Sequence, residues 1–117
     1  METPIKEIAD RFSRGAFATV YDNFSENIEW TLVGALSLSG KKSVVDHCEK
    51  MLVDMAGAVM TNTNAVVADN VVVIQGYCRY TGPDNSPGRV EYCDVYKFQN
   101  EQLAHITSYI IEVTQGS

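Results

Sequence analysis

Asp94 is the residue of this sequence whose setting points most directly to chemistry. It lies in Arg89-Val90-Glu91-Tyr92-Cys93-Asp94-Val95-Tyr96-Lys97-Phe98-Gln99. Side chains of an extended strand alternate between its faces. One face of this run then carries Val90, Tyr92, Asp94, Tyr96 and Phe98, and the other carries Arg89, Glu91, Cys93, Val95, Lys97 and Gln99. The first face is apolar and aromatic apart from one central carboxyl. A buried charge is costly unless it is paired or neutralised by a proton. A carboxyl kept neutral can donate a hydrogen bond or serve as an acid.

His47 is the second candidate. The run from Lys41 to Asp54 reads as a helix whose apolar stripe is Val44, Val45, Cys48, Met51, Leu52 and Met55. His47 falls at the edge of that stripe, beside Val44 and Met51. Histidine is the side chain whose ordinary titration lies near neutrality, so it suits acid or base work opposite Asp94. A boundary histidine with one nitrogen in water is the plainer alternative. The other histidine, His105, is expected to point outward. Two separated histidines, with no carboxylate motif at ligand spacing, give no metal site, and no cofactor motif is present.

These groups need elements to hold them. Thr3-Pro4 reads as a helix start, with Pro at the first helical position and Thr as cap. Ile5, Ile8, Ala9 and Phe12 then mark one face of a short helix, which Gly15 interrupts. Phe17, Val20, Tyr21 and Phe24 repeat the spacing on a second short helix ended by Ser25-Glu26-Asn27. Ile28 to Val33 reads as a strand, followed by a loop with Ser37, Ser39 and Gly40. Lys41 and Lys42 then stand in the first turn of the third helix, where the macrodipole disfavours cations.

Beyond Gly57 the period becomes strand-like. Strands are expected over Ala58–Ala68 and Val71–Thr81, with Asp69-Asn70 as a two-residue hairpin turn. Gly82 to Gly88 reads as a longer hairpin loop, the segment whose composition predicts most motion. The Arg89–Gln99 strand, a turn at Asn100-Glu101-Gln102 and a last strand from Leu103 to Val113 complete the chain. Helices first and antiparallel strands after imply an α+β fold, a cone-shaped, strongly curved antiparallel sheet wrapped around three N-terminal helices with a concave pocket. Gly57 and Gly76 are candidates for the bending points.

At 117 residues the chain is expected to be a single domain over 1–117 that buries its own core. A net charge of −6 argues against nucleic acid, since phosphate binding relies on clustered Lys and Arg. Three cysteines without CxxC spacing read as free thiols of a reducing compartment. No apolar run is long enough for a spanning helix, and no basic region followed by an apolar run opens the chain. A cytoplasmic location without membrane contact is the expectation.

The order of elements resembles the nuclear transport factor 2-like superfamily, and within it the SnoaL-like polyketide cyclases and ketosteroid isomerases. The resemblance is carried by Val20-Tyr21-Asp22, Ile28-Glu29-Trp30, Gly40-Lys41-Lys42-Ser43-Val44-Val45 and Cys93-Asp94-Val95-Tyr96-Lys97-Phe98, followed after a turn by Leu103. It spans essentially the whole chain, and its motifs specify fold better than function. In ketosteroid isomerases the aspartate matching Asp94 donates a hydrogen bond to the developing oxyanion. Their base, a carboxylate at the end of the first strand, falls here on Thr31 or Leu32. Phe12 stands where their oxyanion tyrosine stands. Two of three groups are thus replaced, which argues against steroid isomerisation by that mechanism. The resemblance also implies that His47 faces the pocket. In the family's epoxide hydrolases an aspartate matches Ser108, and serine cannot replace it.

The resulting expectation is a pocket lined by Phe12, Tyr21, Trp30, Tyr92, Tyr96, Ile106, Ser108 and Ile110. It would bind a small apolar molecule, with Asp94 as acid or oxyanion donor and His47 as base in an isomerase or cyclase. The rival is a non-catalytic ligand-binding or dimeric interaction domain of the same fold, with Asp94 closing a polar network. The outer sheet face, apolar at Cys93 and Val95, suggests a homodimer interface.

Overall fold

The computed structural model describes residues 4–113. Helix α1 spans Ile5–Ser13 and buries Ile8, Ala9, Phe12 and Ser13. Its exposed side carries the ion pairs Arg11–Glu7 at 2.6 Å and Arg14–Asp10 at 2.8 Å. Pro4 lies just before the first helical residue, and the Thr3 cap falls outside the described residues. Gly15, at φ 87°, breaks the helix as expected.

The second helix is a 3-10 helix, Phe17–Asn23, and Phe24 opens strand β1 instead of ending the helix. In the tight 3-10 form, residues three apart eclipse one another, which suits Phe17 and Val20 and leaves Phe24 to be buried from the strand. Strand β1 spans Phe24–Leu32, and Ser25-Glu26-Asn27 is a register irregularity inside it, not an end. The stretch expected as a loop contains strand β2, Leu36–Ser39, paired antiparallel with β1. Helix α2 spans Lys41–Asp54, the range expected from its stripe. Lys42 is offset in the first turn by Asp46 at 2.7 Å. Val44 and Cys48 are buried, while Leu52, placed on the stripe by periodicity, is exposed.

Strands β3 (Val59–Ala68), β4 (Val71–Thr81), β5 (Pro87–Gln99) and β6 (Gln102–Glu112) follow. The β3–β4 turn is Asp69-Asn70, with Asp69 at φ 54°. The sheet order is β2-β1-β6-β5-β4-β3. All pairings are antiparallel except β1 with β6, which is parallel, so the sheet is mixed where an antiparallel one was expected. The chain reaches β6 last and lays it beside β1, running the same way. The resulting fold is an α+β cone with three helices on the concave side of an open sheet.

Gly76 is where that sheet bends. It pairs with Asn62, next to the register shift between Asn62 and Asn64. A Cβ at Gly76 would lie 2.3 Å from the Thr61 carbonyl oxygen and 2.5 Å from the Tyr92 hydroxyl. The Tyr92 ring occupies the space that the missing side chain leaves. Gly57, by contrast, lies at φ 90° in the turn before β3 and bends no strand.

The core lies between α1, the 3-10 helix and the inner face of the sheet. Phe12 is its hub, with ring centroids 4.9 Å from Phe17, 5.1 Å from Trp30, 5.8 Å from Tyr96 and 6.0 Å from Phe24. The aromatic face of β5 is buried at Tyr92, Asp94, Tyr96 and Phe98.

Candidate functional site

Strand register builds the site. Asp94 on β5 pairs with Ser108 on β6, Tyr96 with Ile106, and Tyr92 with Ile110. All six side chains therefore start on the concave face. Helix α1 crosses this face, and its buried side ends in Ser13, four residues beyond Ala9. The Ser13 hydroxyl donates to Asp94 Oδ2 at 2.9 Å, and the Tyr96 hydroxyl lies 3.2 Å from the same oxygen. Ser13 and Tyr96 are also in short hydrogen-bond contact. Trp30 Nε1 donates to Ser108 Oγ at 2.9 Å, which fixes the serine beside the carboxyl.

Asp94 is 7% exposed. Burial pushes its carboxyl above the ordinary carboxylate range, and hydrogen bonds from Ser108, Ser13 and Tyr96 offset only part of that rise. Burial likewise raises Tyr96, with the Asp94 charge adding to it. Tyr92 is raised by burial and then by Asp94, and its hydroxyl donates to Asn62 Oδ1. The Asn62 amide is in turn anchored on Asp10 Oδ1 at 2.7 Å.

These groups open on a cavity of about 570 Å³. Phe12, Ser13 and Phe17 line it from the N-terminal helices, and Leu32 from β1. His47, Met51, Met55 and Asp54 come from α2, and Met60 from β3. Cys78, Tyr80 and Thr81 come from β4, Val90, Tyr92 and Asp94 from β5, and Ile110 from β6. Among the described residues no lysine or arginine lines it. Asp54, at its rim, is paired with Lys50 at 2.8 Å. Among the described residues no group of three or more His, Cys, Asp or Glu is placed to hold a metal ion.

The structure thus brings Asp94, His47, Phe12, Tyr92 and Ile110 to one cavity. It does not bring the other expected lining residues there. Trp30, Tyr96, Ile106 and Ser108 sit beneath the lining, each fully or almost fully buried. Phe12 and His47 cover Trp30 edge-on, at 5.1 and 5.3 Å, and Phe12 also covers Tyr96. Tyr21 lies outside the cavity, its hydroxyl donating to Glu49 Oε2 at 2.6 Å and its ring packed on Phe24. His47 is half-buried and makes its ring contact with Trp30; none of the hydrogen bonds to Asp94 comes from it. At the end of β1, Leu32 is the residue that lines the cavity, while Thr31 pairs with Thr107 of the outer face. Ser13, Asn62, Cys78 and Tyr80 belong to the site and were not expected there. For Ser13 the signal existed, because a polar residue continues the apolar stripe of α1.

The family model of the SnoaL-like domain matches residues 5–106. This chain belongs to the SnoaL-like domain family. No curated protein matches it in sequence. Among solved structures, an NTF2-like protein of unknown function from Cytophaga hutchinsonii is 45% identical, over 90% of this chain and 94% of that one, with a TM-score of 0.87. A candidate SnoaL-like polyketide cyclase from Jannaschia sp. CCS1 is 11% identical, covers 94% of this chain and 90% of its own, and superposes with a TM-score of 0.77. A hypothetical protein with a ketosteroid isomerase-like fold from Catenulispora acidiphila, solved in complex with trimethylamine, is 14% identical over 92% of this chain and 86% of that one, with a TM-score of 0.73. The last two share the SnoaL-like fold with this chain. No helix among the described residues is long and apolar enough to cross a membrane.

Proposed function

We propose that the cavity binds a small apolar molecule bearing a carbonyl or hydroxyl group, and that Asp94 meets that oxygen as a hydrogen-bond donor. The observation that carries this reading is a carboxyl in an apolar cavity, raised by burial and facing no lysine or arginine. A neutral acid stabilises negative charge developing on a carbonyl oxygen more than it stabilises the resting carbonyl. An isomerase or cyclase acting by proton transfer on a carbonyl or polyketide-like substrate uses that difference. His47, the imidazole of the same cavity, is its base.

One observation favours a second reading, non-catalytic binding in the same fold. Leu32 occupies the cavity position at the end of β1, and a leucine accepts no proton. The two readings separate in one experiment, a binding and turnover screen of apolar ketones, enones and polyketide-like β-diketones on wild type, Asp94→Asn and His47→Gln. Catalysis predicts turnover falling about 100-fold or more in each variant. Ligand binding weakened in Asp94→Asn, with no turnover in any protein, selects the binding module. Absence of binding across the panel overturns both.

The partner supported best is a second copy of this chain docked through the outer sheet face. Register aligns Val66, Val73 and Val95 across three strands, beside Tyr109 at 46% and Ile111 at 68% exposure. Exposed apolar surface of this kind is stabilised by being covered. Light scattering is expected to give twice the chain mass, and Val95→Glu together with Ile111→Lys is expected to give one. A monomeric wild type at micromolar concentration sinks this reading.

A further inference from the structure

The oxygens around Asp94 can be counted against their hydrogens. Asp94 Oδ2 is 2.9 Å from the Ser13 hydroxyl and 3.2 Å from the Tyr96 hydroxyl, and those hydroxyls touch each other. Three oxygens therefore make three mutual contacts. Each contact needs a hydrogen between its oxygens, since lone pairs facing one another repel. Ser13 and Tyr96 supply two. The Ser108 hydroxyl acts on the same carboxyl while accepting from Trp30, and it stands outside this triangle.

The other titratable groups near the carboxyl do not supply the third hydrogen. Tyr92 on β5 gives its hydrogen to Asn62. Cys93 on β5 points to the outer face. Cys78 on β4 and His47 on α2 line the cavity, and neither is hydrogen-bonded to Asp94. The remaining source is the carboxyl itself.

We propose that Asp94, Ser13 and Tyr96 form a closed ring of three hydrogen bonds whose third hydrogen belongs to the Asp94 carboxyl, so that Ser13 is a positioning residue holding Asp94 in its acid form. The hydrogens run from Asp94 to Ser13, from Ser13 to Tyr96 and from Tyr96 to Asp94, each oxygen giving one and accepting one, so Ser13 donates to the ionised carboxyl but accepts from the protonated one. Hydrogen bonds in such a chain polarise one another. Ionising Asp94 leaves one of the three contacts without a hydrogen. Tyr96 is sealed in the core, whereas Ser13 and Asp94 both line the cavity. The ring can therefore open only on the Ser13–Asp94 side, where a ligand oxygen takes the acid hydrogen. This last consequence rests on the function proposed above; the protonation of the ring does not.

The ring makes a prediction opposite in sign to the simpler account. A serine that merely donates to a carboxylate favours the charged form, so its removal would strengthen proton binding. In the ring, removing Ser13 deletes two contacts that need hydrogens and leaves Tyr96 free to serve the carboxylate. Proton binding then weakens.

The test is an infrared titration of the ligand-free full chain, following the carbonyl band of the protonated acid that disappears in Asp94→Asn. Wild type is expected to keep that band at a pH where an ordinary aspartate has already ionised. Ser13→Ala is expected to lower the titration midpoint by about half a pH unit, a threefold loss of proton affinity, and Ser13→Thr to restore it. Tyr96→Phe should lower it as well, and decides the matter if Ser13→Ala does not fold. An unchanged or raised midpoint in the alanine or phenylalanine variant overturns the ring, as does a wild type already ionised at that pH. A wild type that keeps the band yet binds no carbonyl compound leaves the ring standing and removes only the function.

Discussion

Helix α1 touches two aspartates, and they are held in opposite ways. Asp10 lies at its exposed side, three residues before Ser13. It takes hydrogen bonds from Asn62 Nδ2 at 2.7 Å and Arg14 Nε at 2.8 Å. Partial burial works to raise Asp10, but Asn62, Arg14 and Lys6 together outweigh it and hold its carboxyl below the ordinary range. Asp94, 7% exposed and surrounded by hydroxyls alone, ends above that range. Burial pushes both the same way. What separates them is water and a cation, both within reach of Asp10, whereas the Asp94 cavity is lined by no lysine or arginine among the described residues. The chain thus keeps a structural carboxylate and a candidate acid on two sides of one helix turn.

The largest test of this contrast is the pH dependence of stability, because the two groups carry opposite signs. Between the ordinary aspartate value and the raised value of Asp94, the unfolded chain is ionised there while the native protein keeps its proton. Native stability therefore falls as pH rises through that window, by about 1.4 kcal/mol per pH unit for one group. Asp10 works in the other direction. Its contribution is present above the ordinary aspartate value and is lost as pH falls through its depressed one. Urea unfolding from about pH 3 to 8 is expected to show Asp94→Asn gaining on wild type as pH rises. Asp10→Asn should lose on wild type over the same rise, by a smaller amount because Asp10 is half-exposed. Parallel profiles for the two variants would break the comparison.

The same contrast shows which parts of the molecule were legible in sequence. The inner and outer faces of β5, the bounds of α2 and the Asp69-Asn70 turn follow from local periodicity and turn chemistry, and the structure has them there. Strand β2, read as a loop, carries a local signal that points both ways. Leu36-Ser37-Leu38-Ser39 alternates with period two, but its serines and flanking glycines read as loop. The parallel pairing of β1 with β6 was not legible, because it joins segments some 75 residues apart and no local pattern encodes it. The site was half legible for a related reason. Alternation says which face a side chain occupies, not how deep it lies along the strand. On β5, Tyr96 and Phe98 are sealed in the core and Val90 and Tyr92 meet the cavity. That division is set by where α1 crosses the sheet with Phe12, a tertiary fact. It is why Trp30, Tyr96, Ile106 and Ser108 became a buried layer supporting the site instead of its lining.

A smaller effect tests the mechanism of the contrast itself. Arg14 is half-exposed, so its pull on Asp10 is a surface ion pair worth a few tenths of a kcal/mol. Such a pull is screened by salt, whereas hydroxyl contacts inside a low-dielectric pocket are not. Arg14→Gln is therefore expected to destabilise the protein by a few tenths of a kcal/mol at low ionic strength, and by nothing measurable in about 1 M salt. The difference between wild type and Asp94→Asn should stay constant across the same salt range. If it too shrinks with salt, a charge is acting on Asp94 through the cavity, and the acid is being tuned by long-range electrostatics instead of by burial and its three hydroxyl partners.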